Sequence, residues 1–133
     1  MLIDNLSQYL INQGICTAEG TDLFIGKFPD ADGNTYDNAV MLLDTGGIEP
    51  NKYVPIRQLK IQVTVRNTDY ATGYAKMKAI RDALHRKGDD VVLEAGGVDL
   101  MMCFALQEPT FLGRDESERS LFICNFVFKL RND

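Results

Sequence analysis

The feature that most constrains the fold is a change of hydrophobic period between residues 58 and 88. Apolar residues first alternate with polar ones, which is the pattern of a strand with one buried face. The alternating apolar residues are Leu59, Ile61, Val63 and Val65. From Tyr70 the apolar period becomes three to four residues, which predicts a helix of about four turns. We therefore predict a strand, a short turn in which Thr68 or Asp69 caps the helix, and an amphipathic helix.

The residues before this stretch predict one helix and two strands. An apolar stripe over residues 2–13, followed by Gly14, predicts an N-terminal helix. Residues 21–28 and 39–43 are strand candidates, and we expect them to form a hairpin. Its long tip contains Asp30, Asp32 and Asn34. Their alternation is like the start of a calcium loop, but the glycine and the twelfth residue do not fit, so a solvated turn is predicted.

The segment 44–52 has the composition of a loop, with Gly46 and Gly47 adjacent and Lys52 near its end. It matches no phosphate-binding motif. We interpret it as a surface arm or partner-contact loop, with a plain linker as the alternative.

The C-terminal part predicts three further strands. They cover residues 90–95, 98–106 and 120–130, with a turn at residues 96–97 and an exposed charged connection at 114–119. The last two strands are apolar on both faces, although antiparallel sheets usually leave one face polar. Two helices can cover only one face. The other face is covered either by the early hairpin or by another subunit, and we favour the subunit.

These elements define an α+β fold in a single domain spanning residues 1–133. We predict a mostly antiparallel or mixed sheet of five to six strands, with two α-helices packed on one face, in the order α-β-β-β-α-β-β-β. The net charge of −5 argues against a nucleic-acid-binding protein, and no apolar run is long enough to span a membrane. Without a signal-peptide pattern, the expected compartment is a cytoplasm.

The sequence contains no pattern of an enzyme active site. Its one histidine, His85, is predicted to end the central helix, and its three cysteines form no C-x-x-C motif. We interpret Cys103 and Cys124 as small buried apolar residues. No catalytic residue, cofactor or metal site is predicted.

The central stretch resembles the bacteriophage minor capsid or tail terminator family, the small tail-completion proteins of long-tailed phages. The residues that carry the resemblance are Ile61-Gln62-Val63-Thr64-Val65-Arg66, Asp69-Tyr70, Ala79-Ile80 and Ala83-Leu84-His85. The resemblance implies a protein that closes into a six-membered ring on the finished tail tube, stops polymerisation and offers its other face to the head. The implied partners are further copies of itself, the tail tube protein and the head-tail connector protein. The implied location is the host cytoplasm during assembly and then the virion.

Candidate contact residues follow from position and side-chain chemistry. Arg66 is a candidate for an inter-subunit or loop-fixing contact, because its guanidinium offers bidentate geometry. Tyr70 and Tyr74 begin the helix beside it and would pack against Arg66, the core or a neighbour. The tube-facing candidates are the tip with Asp30, Asp32 and Asn34, and the loop with Gly46, Gly47 and Lys52. The alternatives are another neck or head-completion protein, or a regulatory module that binds a small molecule between sheet and helices.

Overall fold

The computed structural model describes residues 2–26, 38–47, 56–85, 87–88, 99–116 and 118–131. Two helices and seven strands are found in this part of the chain. The helices are α1 (Leu2–Asn12) and α2 (Tyr70–Leu84). The strands are β1 (Leu23–Ile25), β2 (Ala39–Gly47), β3 (Ile56–Asn67), β4 (Lys87–Gly88), β5 (Asp99–Ala105), β6 (Thr110–Arg114) and β7 (Ser120–Arg131).

All seven strands belong to one mixed sheet with β7 near its middle. The strand order is β1-β2-β3-β7-β5-β4, and β6 also pairs with β7. One edge of β7 pairs with β3 over the full length of both strands, from Ser120 opposite Asn67 to Arg131 opposite Ile56. The other edge pairs first with β6 and then with β5. The predicted α+β class, with a mixed sheet and two helices, is confirmed.

The pairing of the first two strands corrects the predicted hairpin. β1 and β2 run parallel, with Leu23 opposite Val40 and Ile25 opposite Leu42. A parallel pair needs a crossover of about a dozen residues or more, and residues 26–38 provide one of that length. The tip predicted at Asp30–Asn34 lies outside the described residues.

Three further strand predictions differ from the structure or are not tested by it. β2 continues to Gly47, so residues 44–47 of the predicted loop belong to a strand; a bulge between Asp44 and Gly46 lets the strand pass through its glycines, Gly46 having φ 94°. No strand is predicted at Thr110–Arg114, where the structure has β6, and Arg114 of the predicted connection belongs to this strand. The strand predicted at 90–95 and its turn lie outside the described residues.

Both helices pack on one face of the sheet and form the core with it. Asp69 caps α2 as predicted, accepting a hydrogen bond from the Thr72 backbone N–H at 3.1 Å. Tyr9 of α1 donates its hydroxyl to the Ala83 carbonyl of α2 at 3.2 Å, which ties the helices together. The core residues of the helices are Ile3, Leu6, Leu10, Met77, Ile80 and Leu84. Those of the strands include Leu23, Val40, Leu42, Ile61, Val63, Val65, Cys103, Phe122, Cys124, Phe126 and Phe128.

The opposite face of the sheet is partly buried. Side chains alternate along a strand, so the neighbours of the core residues point to this face. The buried residues of this face are Ala39, Thr64, Arg66 and Val127. Leu121 and Ile123 on the same face are half-buried. Coverage of this face by another subunit stays a prediction.

Candidate interaction surface

Four aromatic rings meet where α2 begins beside β6 and β7. Between ring centroids, Tyr70 lies 5.0 Å from Phe111 and 5.1 Å from Phe122. Tyr74 lies 6.0 Å from Phe122. The pairs are tilted or edge-on, which is the favourable geometry for aromatic contacts. Phe122 is fully buried, but Tyr70 is 48% exposed, Tyr74 41% and Phe111 42%.

Gly73 allows this cluster to form, because it brings α2 close to β7. A Cβ atom on Gly73 would lie 2.8 Å from the Phe122 ring and 3.0 Å from Cβ of Asn67. Both distances are shorter than an ordinary contact between carbon atoms. The bare backbone of Gly73 therefore lets Phe122 fill the space under the helix, with Tyr70 and Tyr74 on either side.

β6 extends the exposed apolar surface beyond the rings. Leu112 is 56% exposed and lies at a bulge before Gly113, whose φ is 114°. Within the described part of the chain, β7 is the only strand that pairs with β6. We call Tyr70, Tyr74, Phe111 and Leu112 the aromatic strip. Exposed apolar side chains beside an open strand edge are features of an association surface.

The structure places the predicted contact residues differently. Tyr70 and Tyr74 lie in the strip, whereas Arg66 is only 5% exposed. Arg66 stands in register with Ala39 of β2 and Leu121 of β7. Its burial favours the loop-fixing role over an inter-subunit contact.

The remaining candidates are on β2 or outside the described residues. Gly46 and Gly47 are on the last part of β2, where the Gly46 N–H donates to Oδ1 of Asp44 at 2.8 Å. The candidates outside the described residues are Asp30, Asp32, Asn34 and Lys52.

Phe111 and Leu112 were not among the predicted contact residues. The signal was present, because Thr110-Phe111-Leu112 and Ser120-Leu121-Phe122 flank a polar turn and form the two arms of a hairpin.

A cavity of about 330 Å³ lies where β2 begins and β3 ends. Arg66, Lys76 and Asp22 are among its lining residues. Two charged groups of its wall already make contacts within the fold: both oxygens of Asp22 accept from the Thr17 N–H at 2.9 Å, and Lys76 Nζ donates to the Ile15 carbonyl. These bonds give the charged groups a structural function, because they hold the segment between α1 and β1 together and join it to α2.

The three cysteines are free and buried, as predicted for Cys103 and Cys124. Burial raises the pKa of the Cys16 thiol to about 11, and the nearby Asp22 carboxylate adds to the effect. Burial likewise raises the pKa of Cys103 to about 12 and that of Cys124 to about 11. At neutral pH these groups are thiols, which are weak nucleophiles.

His85 has a structural contact at the end of α2. Its Nδ1 accepts a hydrogen bond from the Ala105 N–H of β5 at 3.0 Å. The ring joins α2 to β5 in addition to ending the helix. In the described ranges, no group of three or more His, Cys, Asp or Glu residues is placed to hold a metal ion. Neither described helix is long and apolar enough to cross a bilayer.

In the described part of the chain, these features define a small α+β domain with exposed large apolar side chains at the start of α2 and on β6. The family profile described as Bacteriophage tail terminator protein matches residues 9–132. The chain therefore belongs to the bacteriophage tail terminator family, and the resemblance found in the sequence is confirmed. It is a structural protein of phage tail assembly.

Solved structures support the fold. Twenty-one chains match this one. One of them, from the virion of a native gene transfer agent particle, has a TM-score of 0.64 and 15% identity. The match covers 98% of this chain and 92% of that chain. At this identity the likeness shows a shared fold. No curated protein gives a significant match.

Proposed function

We propose that this protein caps the phage tail tube as a ring of six copies, ends tube polymerisation and provides the surface to which the head is joined. The family match over residues 9–132 carries this proposal. Its partners are further copies of itself, the tail tube protein and the head-tail connector protein. It acts in the host cytoplasm during assembly and then remains in the virion. No catalytic step and no cofactor are required for this function.

The exposed surface of the protein supports an assembly function. A ring needs two different surfaces on each subunit that fit each other head to tail and close after a fixed number of copies. The aromatic strip is an exposed apolar surface at one edge of the sheet. At the β1 edge, the Leu23 carbonyl already accepts a hydrogen bond from the Gly20 N–H of the same chain at 2.8 Å. A domain with two different surfaces is suited to a head-to-tail contact between subunits.

The test is to add purified protein to growing tail tubes at different times and to measure tube length by electron microscopy. A terminator fixes the length reached at the time of addition and produces a ring at the tube end. Tubes that keep growing at the rate seen without the protein would refute the capping function. If heads join to finished tubes only when the protein is present, but growth is unaffected, the protein is another neck or head-completion component.

The cavity beside Arg66 is the observation that favours the alternative of a small-molecule-binding module. Its volume of about 330 Å³ is at the lower end of the range for ligand pockets. A ligand that binds only the folded state raises the melting temperature with its concentration. A stable monomer whose melting temperature rises in this way, with no effect on tubes, would favour this alternative.

A further inference from the structure

We propose that the cavity between the start of β2 and the end of β3 binds a small oxyanion, that is, a free ligand with a carboxylate or phosphate group. Its volume of about 330 Å³ suits a small ligand. The wall is contributed by the ends of β2 and β3, the residue before β1 and the first two turns of α2. Binding at this site goes beyond the capping function and does not depend on it, because the whole wall belongs to one subunit.

Two asparagine side chains of the wall have their oxygens engaged by the backbone. Oδ1 of Asn38 accepts from the Thr68 N–H at 3.0 Å, and Oδ1 of Asn67 accepts from the Asp69 N–H at 2.9 Å. A backbone N–H is always a donor, so these bonds fix which end of each amide is the oxygen. What each side chain can offer a ligand is therefore its NH2 group. Asn67 is only 5% exposed, and within the described ranges its NH2 group donates to no other residue.

Lys76 supplies a cationic donor to the same wall. Its Nζ donates one hydrogen bond to the Ile15 carbonyl, and an ammonium group has three N–H bonds, so two remain for a ligand. The buried Arg66 is a second cation of the wall. Hydrogen bonds between charged groups are stronger than those between neutral groups. An oxyanion therefore gains more from these donors than a neutral ligand does.

The acidic groups at the cavity are already bonded to donors of the fold. The Asp22 carboxylate accepts from the backbone N–H groups of Thr17 and Ala18 at 2.9 to 3.1 Å. Asp69, which caps α2, accepts from the hydroxyl and the N–H of the wall residue Thr72. The remaining hydrogen-bonding capacity of the wall is therefore mostly that of donors, which fits an acceptor-rich oxyanion better than a cation.

The first test titrates the folded protein with inorganic phosphate and, separately, with succinate, at neutral pH and at an ionic strength held constant with sodium chloride. NMR follows the side-chain amide signals of Asn38 and Asn67. We expect one of the two anions to shift both signals in a saturable way, with a Kd of about 1 mM or lower, and that anion identifies the ligand group as phosphate or carboxylate. No saturable shift with either anion would mean that the cavity holds water only, and would overturn the proposal. Equal binding of the neutral dimethyl succinate would refute the requirement for an oxyanion.

The second test compares Lys76→Met with Lys78→Met. Both remove one positive charge from α2, but Lys78 is exposed and does not line the cavity. We expect Lys76→Met to weaken anion binding at least about tenfold, because it removes hydrogen bonds to a charged group, and Lys78→Met to leave the Kd unchanged. Equal losses in the two variants would assign the effect to overall charge and refute the site.

Asn38→Asp tests the site without removing the contact of Lys76 with Ile15. This variant keeps an oxygen acceptor for the Thr68 N–H and replaces the NH2 donors with a negative charge. We expect it to keep the wild-type melting temperature and to lose anion binding; unchanged binding would count against the site.

Tube length separates this site from the capping function. If an anion binds at Asn38 and Asn67 while tubes keep growing in the presence of the protein, the capping function is wrong and the site stands. If the protein fixes tube length but neither anion binds, the site is wrong and the capping function stands.

Discussion

Replacing Gly73 with alanine tests whether helix propensity or packing dominates at this position. Helix propensity predicts a higher free energy of unfolding, whereas packing against Phe122 predicts a lower one. Alanine in place of a mid-helix glycine favours the helix by about 1 kcal/mol. A Cβ at this position would lie 2.8 Å from the buried Phe122 ring and 3.0 Å from Asn67. Overpacking of a filled core typically costs about 1–3 kcal/mol, and the ring cannot move freely between Tyr70 and Tyr74. Set against the gain in helix propensity, this cost leaves Gly73→Ala with a free energy of unfolding lower by about 0–2 kcal/mol.

Urea denaturation measures this change as a lower midpoint at unchanged slope. Ala75→Gly, at an exposed position of the same helix, measures the propensity difference in this context and should cost about 1 kcal/mol. In a Phe122→Leu background, Gly73→Ala should cost less, because the ring atoms at 2.8 and 3.2 Å are removed. A Gly73→Ala variant more stable than wild type would show that α2 does not approach β7 as closely as described.

Three other contacts give direct predictions. Asp69→Ala should lower the melting temperature at neutral pH, with Asp69→Asn as the cap-retaining control. Hydrogen bonds from the hydroxyl and the backbone N–H of Thr72 lower the pKa of Asp69 from its ordinary value of 3.8. The ionised cap therefore stabilises the fold above that pH, and this stabilisation is lost as the pH falls through the lowered pKa. The difference in melting temperature between wild type and Asp69→Ala should therefore narrow in acid. The native thiols should react slowly with a disulfide reagent at pH 8 and fully in urea, because their pKa values are raised; fast native labelling would contradict their burial. Tyr9→Phe should cost about 0.5–1.5 kcal/mol in urea denaturation, since it removes the hydroxyl donor to Ala83, and an unchanged midpoint would count against that bond.

Local patterns predicted the elements with strong periodicity. The alternation of Ile61, Val63 and Val65 identified the buried face of β3, and Asp69 was identified as a possible cap of α2. Strand direction was not predictable in this way, because alternation is the same in parallel and antiparallel pairs. The parallel pairing of β1 with β2 depends on the path of the chain between them and on contacts distant in sequence.

Only the two residues of the candidate surface that lie on α2 were predicted from the sequence, for a related reason. Tyr70 and Tyr74 were identified because they begin a helix that directly follows a strand with strong alternation. Phe111 and Leu112 belong to the short strand β6, which is a strand because it pairs with β7. Arg66 was expected near the surface from its place on the polar side of β3, but that face of the sheet is itself partly buried.

The central place of β7 has a consequence for the speed of folding. β3 and β7 lie far apart in sequence, yet their ladder is the only pairing that joins β1 and β2 to the described strands beyond it. Contacts of high sequence separation are formed slowly, because a large loop must close before they contribute any stability. β6 can pair with β7 as a local hairpin, but until β7 inserts beside β3 the two tyrosines of α2 have no Phe122 to pack against, and the aromatic strip has no fixed shape. Completion of the central ladder therefore sets the earliest moment at which this surface exists.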